Sequence, residues 1–434
     1  MRLTFTTLVL IIFTSTATQA QTPSMEELWQ IIQQQQAEID ALKDKDTQTD
    51  QQLEETRKQV STNILRVDAT GAAIDSLARN RPGGSSWTEK TQLGGYGELH
   101  YNNLDATNNV NDLNEIDFHR FVIYFNHQFN DDLRFFSELE LEHSVAGKDK
   151  DGEIEIEQAY LQYDLDDNHV IQGGLFLIPV GILNETHEPN TFYGVERNSV
   201  EKIIIPTTWW EAGGGIGGGY SNGLNWAVTA TSGLAMTDNY QIRKGRQKVS
   251  GATANDPAYT ARLRYTGIPG LELSATYQYQ VDADQGASTD IGAGRLMSAH
   301  MVLNKGPFGL RALWADWQFD GDGIEAAGAD NQSGWYVEPS FKFSPGNYDI
   351  GVYARYEDVD GYATKGDADE CNVDEDVDEK CQVGKFDEWQ VGVNYWPAKT
   401  VVLKFDYRER SHNQTLAAEN FDFKGFNVGL GYSF

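Results

Sequence analysis

From residue 92 onward, apolar and polar positions alternate with a period of two. In 271–281, Leu271, Leu273, Ala275, Tyr277, Tyr279 and Val281 interleave with Glu272, Ser274, Thr276, Gln278 and Gln280. The same holds in 335–343 (Trp335, Val337, Pro339, Phe341, Phe343), in 401–408 (Val401, Leu403, Phe405, Tyr407) and in 133–142 (Leu133, Phe135, Leu139, Leu141). Side chains on a strand point alternately to its two faces, so each stretch predicts a strand with one apolar and one polar face. In 115–126 and 153–163 the alternation slips phase, and the pattern assigns no faces there.

The connections alternate as well. Turn-forming residues mark short connections at 130–132, 166–168, 221–223, 267–270, 306–309, 344–347 and 396–399. Longer polar stretches lie between them, near 104–114, 144–151, 178–210, 234–256, 281–291, 320–332, 359–384 and 409–420. Seven turns and eight loops join sixteen strands. A sandwich has no reason to sort its short connections to one end, whereas a membrane barrel does. The last strand, with Phe426, Val428, Leu430, Tyr432 and the terminal Phe434 on one face, fits that class. The fold class expected is therefore an all-β transmembrane barrel of 16 antiparallel strands over 92–434. Closure pairs every backbone N–H and C=O, so only the outward half of each strand has to be apolar. Trp389, Tyr395 and Trp396 are expected in the interfacial girdles, and sixteen strands leave an aqueous interior.

The period changes upstream. Stepping by four and three from Leu28 to Leu77 visits fifteen positions, nine of them apolar, with Gln, Glu, Asp, Lys and Arg between. A seam repeating every 3.5 residues buries itself only against other helices, so 21–80 is read as an α-helical coiled coil that oligomerises. Its polar seam positions suit a trimer-like core. Residues 81–91, opening Arg81-Pro-Gly-Gly-Ser-Ser86, form a linker. Residues 1–20 carry Arg2, the apolar run Leu3–Phe13 and a small residue at Ala20, the layout of a secretory signal peptide.

Composition narrows the function. Among 434 residues, 34 Lys and Arg stand against 65 Asp and Glu, for a net charge of -31. So acidic a chain repels phosphate backbones, which excludes nucleic acid as a partner. Two cysteines exclude a disulfide scaffold, but export permits one bridge, Cys371–Cys381, closing an acidic outer loop. Asp374, Asp376 and Asp378 alternate inside that loop, yet the turn glycine of a calcium loop is missing, so a solvated loop is the better reading. Gly213–Gly219 contains GxGxxG but runs into a turn, and it reads as a Gly-rich strand admitting a close neighbour. No HExxH, GxSxG or paired metal-ligand spacing occurs, so neither an enzyme, a metal nor a cofactor is expected.

The stretch Gly174–Asn198 (GLFLIPVGILNETHEPNTFYGVERN), continuing to Ile205–Glu211 (IPTTWWE), resembles the third-loop region of the phosphate-selective porin O and P family. Phe135–His143 and Glu155–Tyr160 fit the same family. The coiled-coil extension is similar to that of trimeric DcaP-like porins. The resemblance implies a homotrimer in the bacterial outer membrane, among lipid and lipopolysaccharide, with the coil in the periplasm and loop 178–210 folded inward to narrow each pore.

That loop offers Arg197, Lys202 and His187 against Glu185, Glu188, Glu196 and Glu201. By alternation the wall faces Arg134, Arg262, Arg264, Lys342, Lys404 and Arg408 inward, together with Glu138, Glu140, Glu272, Glu338 and Asp406. Opposed charge bands across a narrow pore select by charge. The expected function is passive diffusion of small hydrophilic solutes or ions. The alternatives are an anion- or phosphate-specific channel, or a chiefly structural or adhesive barrel.

Overall fold

The structure, a computed structural model, describes residues 33, 36, 87–106, 112–144, 152–287, 290–361, 384–412 and 422–434. The chain divides into two units, Met1–Thr56 and Arg57–Phe434. In the first, Gln33 and Gln36 are helical. The signal peptide, the rest of the coiled-coil segment, Cys371, Cys381 and the acidic run around them lie outside the described residues.

A single turn at Trp87–Glu89 leads into sixteen strands. They are β1 (Thr91–Ala106), β2 (Leu113–Gln128), β3 (Leu133–Glu142), β4 (Ile154–Asp164), β5 (His169–Leu177), β6 (Trp210–Gly219), β7 (Leu224–Thr231) and β8 (Ala258–Ile268). Then follow β9 (Leu271–Gln280), β10 (Gly294–Lys305), β11 (Phe308–Phe319), β12 (Asn331–Phe343), β13 (Asp349–Asp360), β14 (Lys385–Ala398), β15 (Val401–His412) and β16 (Phe423–Ser433). Each pairs antiparallel with its sequence neighbours, and β1 closes on β16 from Tyr96↔Ser433 to Ala106↔Phe423. The barrel is closed, so no strand edge is left unpaired. Seven connections of two to five residues alternate with eight of six to thirty-two. In an up-and-down barrel this puts all the short ones at one end.

The outward face is apolar and continuous. Trp314 opposes Trp335, Val337 opposes Tyr356, Tyr356 opposes Trp389, and Phe405 lies between Val393 and Val428. All eight are exposed. Scattered exposed apolar residues are ordinary in water, but a band spanning strand after strand is the outer face of a membrane-spanning barrel.

Two β-bulges explain where the alternation slips. Between Glu98 and His100 the β2 partner advances from Arg120 to Asp117, one residue more than β1. Between Glu138 and Leu139 the β4 partner jumps from Gln158 to Ile156, passing Glu157. A bulge sets two consecutive residues on one face. His119 stacks on inward-facing His100 at 4.6 Å beside buried Arg120, and Glu157 and Gln158 are both buried.

The interior is not an open bore. An apolar cluster fills the side lined by β10–β14, where Leu296, Leu313, Ala315, Trp317, Tyr336 and Phe386 point inward. Against them pack Ile178, Val180, Ile182, Leu183 and Ile203–Ile205 of the β5–β6 connection. Residues from the connections after β7, β9 and β11 complete the cluster, among them Leu234, Ile291 and Ile324, the last in the short helix α1 (Asp322–Ala327). Trp396, expected in the outer girdle, faces inward. It is 6 % exposed, with the Lys342 ammonium 3.9 Å above its ring, whereas Trp389 and Tyr395 remain on the outer surface.

Candidate functional site

The β5–β6 connection, residues 178–209, is the longest among the described residues. It is too apolar to stand in water, and the inner wall of β10–β12 offers matching apolar positions. Its neck is closed by Asn184, which donates to the carbonyls of Ile178 (2.8 Å) and Trp209 (3.1 Å) and accepts from Trp209 N–H (2.6 Å). Glu201 lies inside the apolar cluster with no exposure. Its carboxylate accepts from the backbone N–H groups of Ile182 and Leu183, from Tyr336 O–H (2.8 Å) and from Asn198 Nδ2 (3.1 Å). Expected among the filter charges, Glu201 is a sealed anchor of the loop. Trp317 Nε1 adds a bond to the carbonyl of Ile204 (2.9 Å).

The polar half of the loop is tied to the rest of the cylinder. Glu185 pairs with Arg262 on β8. Arg120 on β2 donates to the carbonyl of His187 (2.8 Å) and pairs with Glu98 on β1. Arg311 on β11 donates to the Thr191 carbonyl, and Lys404 on β15 to that of Gly194 (2.7 Å). Asp406 accepts Val195 N–H (2.7 Å), Glu357 on β13 accepts Ser199 N–H (2.7 Å), and Arg410 donates to Ser199 Oγ (2.9 Å). Glu196 meets His100 Nδ1 at 2.9 Å and accepts from Asn102 Nδ2 at 3.1 Å. A segment bonded to opposite sides of a closed cylinder lies within it.

Of the wall positions expected from alternation, Arg262, Lys404 and Asp406 hold the loop directly, and Glu138 and Glu140 lie buried beside it. Glu338 pairs with Arg355 (3.1 Å), and Arg408 shares Glu388 with Arg410. Arg134 pairs with Asp164, and Arg264 pairs with Glu272 (3.4 Å), which also meets His300 (3.0 Å). Lys342 is exposed near the short-turn end, with Asp349 at 3.1 Å. Glu98, His100, Arg120, Glu157, Arg311, Glu357, Glu388 and Arg410 escaped the sequence reading. Arg120 and Glu157 sit at the bulges, where phase is lost, and the others become meaningful only once loop and wall meet.

A polar cavity of about 150 Å³ remains where strands meet the long connections. Glu98, Glu142, Glu153, Glu155 and Glu196 line it together with Arg197 and Lys202 of the loop and Arg243, Arg246 and Lys248 of the β7–β8 connection. Burial works against the charge on Lys248, but hydrogen bonds to Glu153 and Glu155 outweigh it and raise the ammonium above the usual lysine value. Burial also opposes ionisation of Glu196, yet His100 beside it holds its carboxyl well below the usual carboxylate range. Glu188 is buried, and its carbonyl accepts Thr191 N–H (2.9 Å).

Residues 92–434 match the profile of the family described as phosphate-selective porin O and P. A protein of Aquifex aeolicus (strain VF5), described as uncharacterized, is 31 % identical over 341 residues, covering 73 % of this chain and 74 % of that one. Among solved structures, the anion-selective porin from Comamonas acidovorans is similar in fold, with a TM-score of 0.51 and 10 % identity over 79 % of this chain and 99 % of that one. The outer membrane channel DcaP of Acinetobacter baumannii gives a TM-score of 0.47 and 16 % identity over 82 % of this chain and 100 % of its own. A closed sixteen-strand barrel, an apolar outer belt and a profile match over most of the sequence agree: the chain belongs to the phosphate-selective porin O and P family, as an outer-membrane channel for passive diffusion.

Proposed function

We propose that the protein is a homotrimeric porin in which residues 178–209 form the filter, passing small hydrophilic solutes and ions with weak charge selectivity. The observation that carries this reading is the cavity lined jointly by carboxylates of β1, β3 and β4 and by cations of the loop and of the β7–β8 connection. Fixed charges of both signs around a narrow water-filled space sort solutes by charge without binding them tightly. The wall carries both signs as well, so neither anions nor cations meet a uniform barrier. The heptad segment 21–80 supplies the trimer contact in this reading, on the periplasmic side.

Planar-bilayer recording tests the proposal. Stepwise conductance with small reversal potentials of either sign in a salt gradient is the expected result. A barrel that never conducts refutes it and favours a structural or adhesive role. The five clustered cations around Arg197 favour a second reading, an anion-specific channel, for which phosphate at millimolar concentration blocks chloride current.

A further inference from the structure

In the β5–β6 connection, the His187 imidazole packs against inward side chains of β3 and β4. Its Nε2 lies 3.5 Å from Glu138 Oε1 and 3.4 Å from Glu157 Oε2. The three residues are 3 %, 2 % and 0 % exposed. Charge-assisted hydrogen bonds settle at about 2.7–2.9 Å, so these separations are within ion-pair range but long for direct hydrogen bonds. None of the three atoms has a hydrogen-bond partner among the described residues. The separations do match the edges of a tetrahedron, about 3.3–3.4 Å, drawn by metal–ligand bonds of about 2.0–2.1 Å.

The second oxygen of each carboxylate and the histidine backbone are fixed from behind, while the other ring nitrogen, His187 Nδ1, has no hydrogen-bond partner among the described residues. Gln158 Nε2 donates to Glu138 Oε2 (2.6 Å), Thr208 Oγ1 donates to Glu157 Oε1 (2.6 Å), and Arg120 Nη2 donates to the His187 carbonyl (2.8 Å). Outer partners that hold one oxygen of each carboxylate and aim the other at a shared point are what orients metal ligands. Charge agrees. Glu98, Glu138, Glu140 and Glu157 are all nearly or fully buried around two guanidinium groups, Arg120, which pairs with Glu98 and Glu140, and Arg197, so the carboxylates outnumber the arginines four to two. Excess buried negative charge is costly unless a cation offsets it.

We propose that His187, Glu138 and Glu157 form a divalent-cation site of the zinc type, and that the ion staples the loop to the β3–β4 wall. One imidazole nitrogen and two carboxylate oxygens suit a borderline-soft ion that accepts mixed N and O ligands, with a fourth position left for water. A second group, Asp117, His119 and His143, is different: both imidazole Nδ1 atoms already meet Asp117 Oδ2, at 3.2 and 2.9 Å. The site rests on buried geometry and not on the filter reading, so a conducting channel that fails to bind metal refutes this site alone.

The test uses the full chain in detergent, stripped with chelator and titrated with zinc chloride in a calorimeter, with metal content measured after gel filtration. The expected result is a saturating step of one zinc per chain, weakened at least tenfold by His187→Ala and by Glu157→Gln. The double variant His119→Ala/His143→Ala keeps that step. Zinc is also expected to slow proteolysis within 178–209 in the wild type and not in Glu157→Gln. Heat-modifiable migration identifies the folded barrels, and Glu138→Gln replaces any variant that fails to fold. A wild-type chain without a saturating step overturns the proposal. So does a step untouched by both ligand substitutions, or one lost only in the His119/His143 variant.

Discussion

Among the groups that tie down the loop, one carboxylate accepts four hydrogen bonds, which makes Glu201 the place to perturb the anchoring. Glu201 is fully buried and takes hydrogen bonds from two backbone N–H groups, from Tyr336 and from Asn198. Replacing it by Leu keeps apolar volume but leaves four donors, Ile182 N–H, Leu183 N–H, Tyr336 O–H and Asn198 Nδ2, without that acceptor in a dry cluster. An orphaned buried donor costs about 1–3 kcal/mol, and because the four share one site their costs do not add fully. A loss of about 3–5 kcal/mol follows, which shifts the seated-to-displaced ratio of the loop by roughly 10²–10⁴. Glu201→Gln retains one oxygen for the backbone donors and is expected to cost less than half as much. The barrel does not depend on this contact, because its strands pair with one another. Folded Glu201→Leu, checked by heat-modifiable migration, should therefore show larger and noisier single-channel conductance and faster proteolysis within 178–209, with Glu201→Gln in between. Unchanged conductance and proteolysis in a folded Glu201→Leu would show that the loop is not held this way.

Three further outcomes follow from the same geometry. Arg197 faces the cavity from the loop, so Arg197→Ala should move the reversal potential in a salt gradient toward cation preference without changing barrel stability; an unchanged potential would remove it from the filter. The Glu196 carboxyl is held below its usual range, so the contribution of its tie to His100 is present above an unfolded value of about 4.3 and fades only as pH falls through the lower folded value. Conductance of wild type and Glu196→Gln should therefore differ by a constant factor from pH 7 to about pH 5, and convergence within that window would contradict the assignment. Val393, exposed between Val352 and Phe405, faces lipid, and Val393→Arg should destabilise the barrel by about 2–4 kcal/mol in denaturant titrations from lipid vesicles. A neutral result would place it outside the lipid belt.

Strand number, the order of short and long connections and the outward apolar face could all be read from the chain, because each is a local property: a period of two, a turn residue, a polar stretch. Leu403 and Phe405 face outward, and Lys404 and Asp406 inward, for no reason beyond alternation. What failed is also physical. A bulge adds one residue and reverses every face beyond it, so Arg120 and Glu157 could not be placed from spacing. Trp396 has the right residue type for an outer girdle and the wrong parity.

Only the closed tertiary structure decided how the interior is filled. Ile178, Val180 and Ile203–Ile205 in the loop, and Leu313, Ala315 and Trp317 on the wall, are apolar in the sequence, but nothing local says that they meet across a lumen. Likewise Glu138, Glu157 and His187 stand apart along the chain and converge because two strands pair and one loop folds back against them. Alternation is encoded residue by residue, whereas the partner of an inward side chain is set by barrel closure, which brings together segments of high sequence separation.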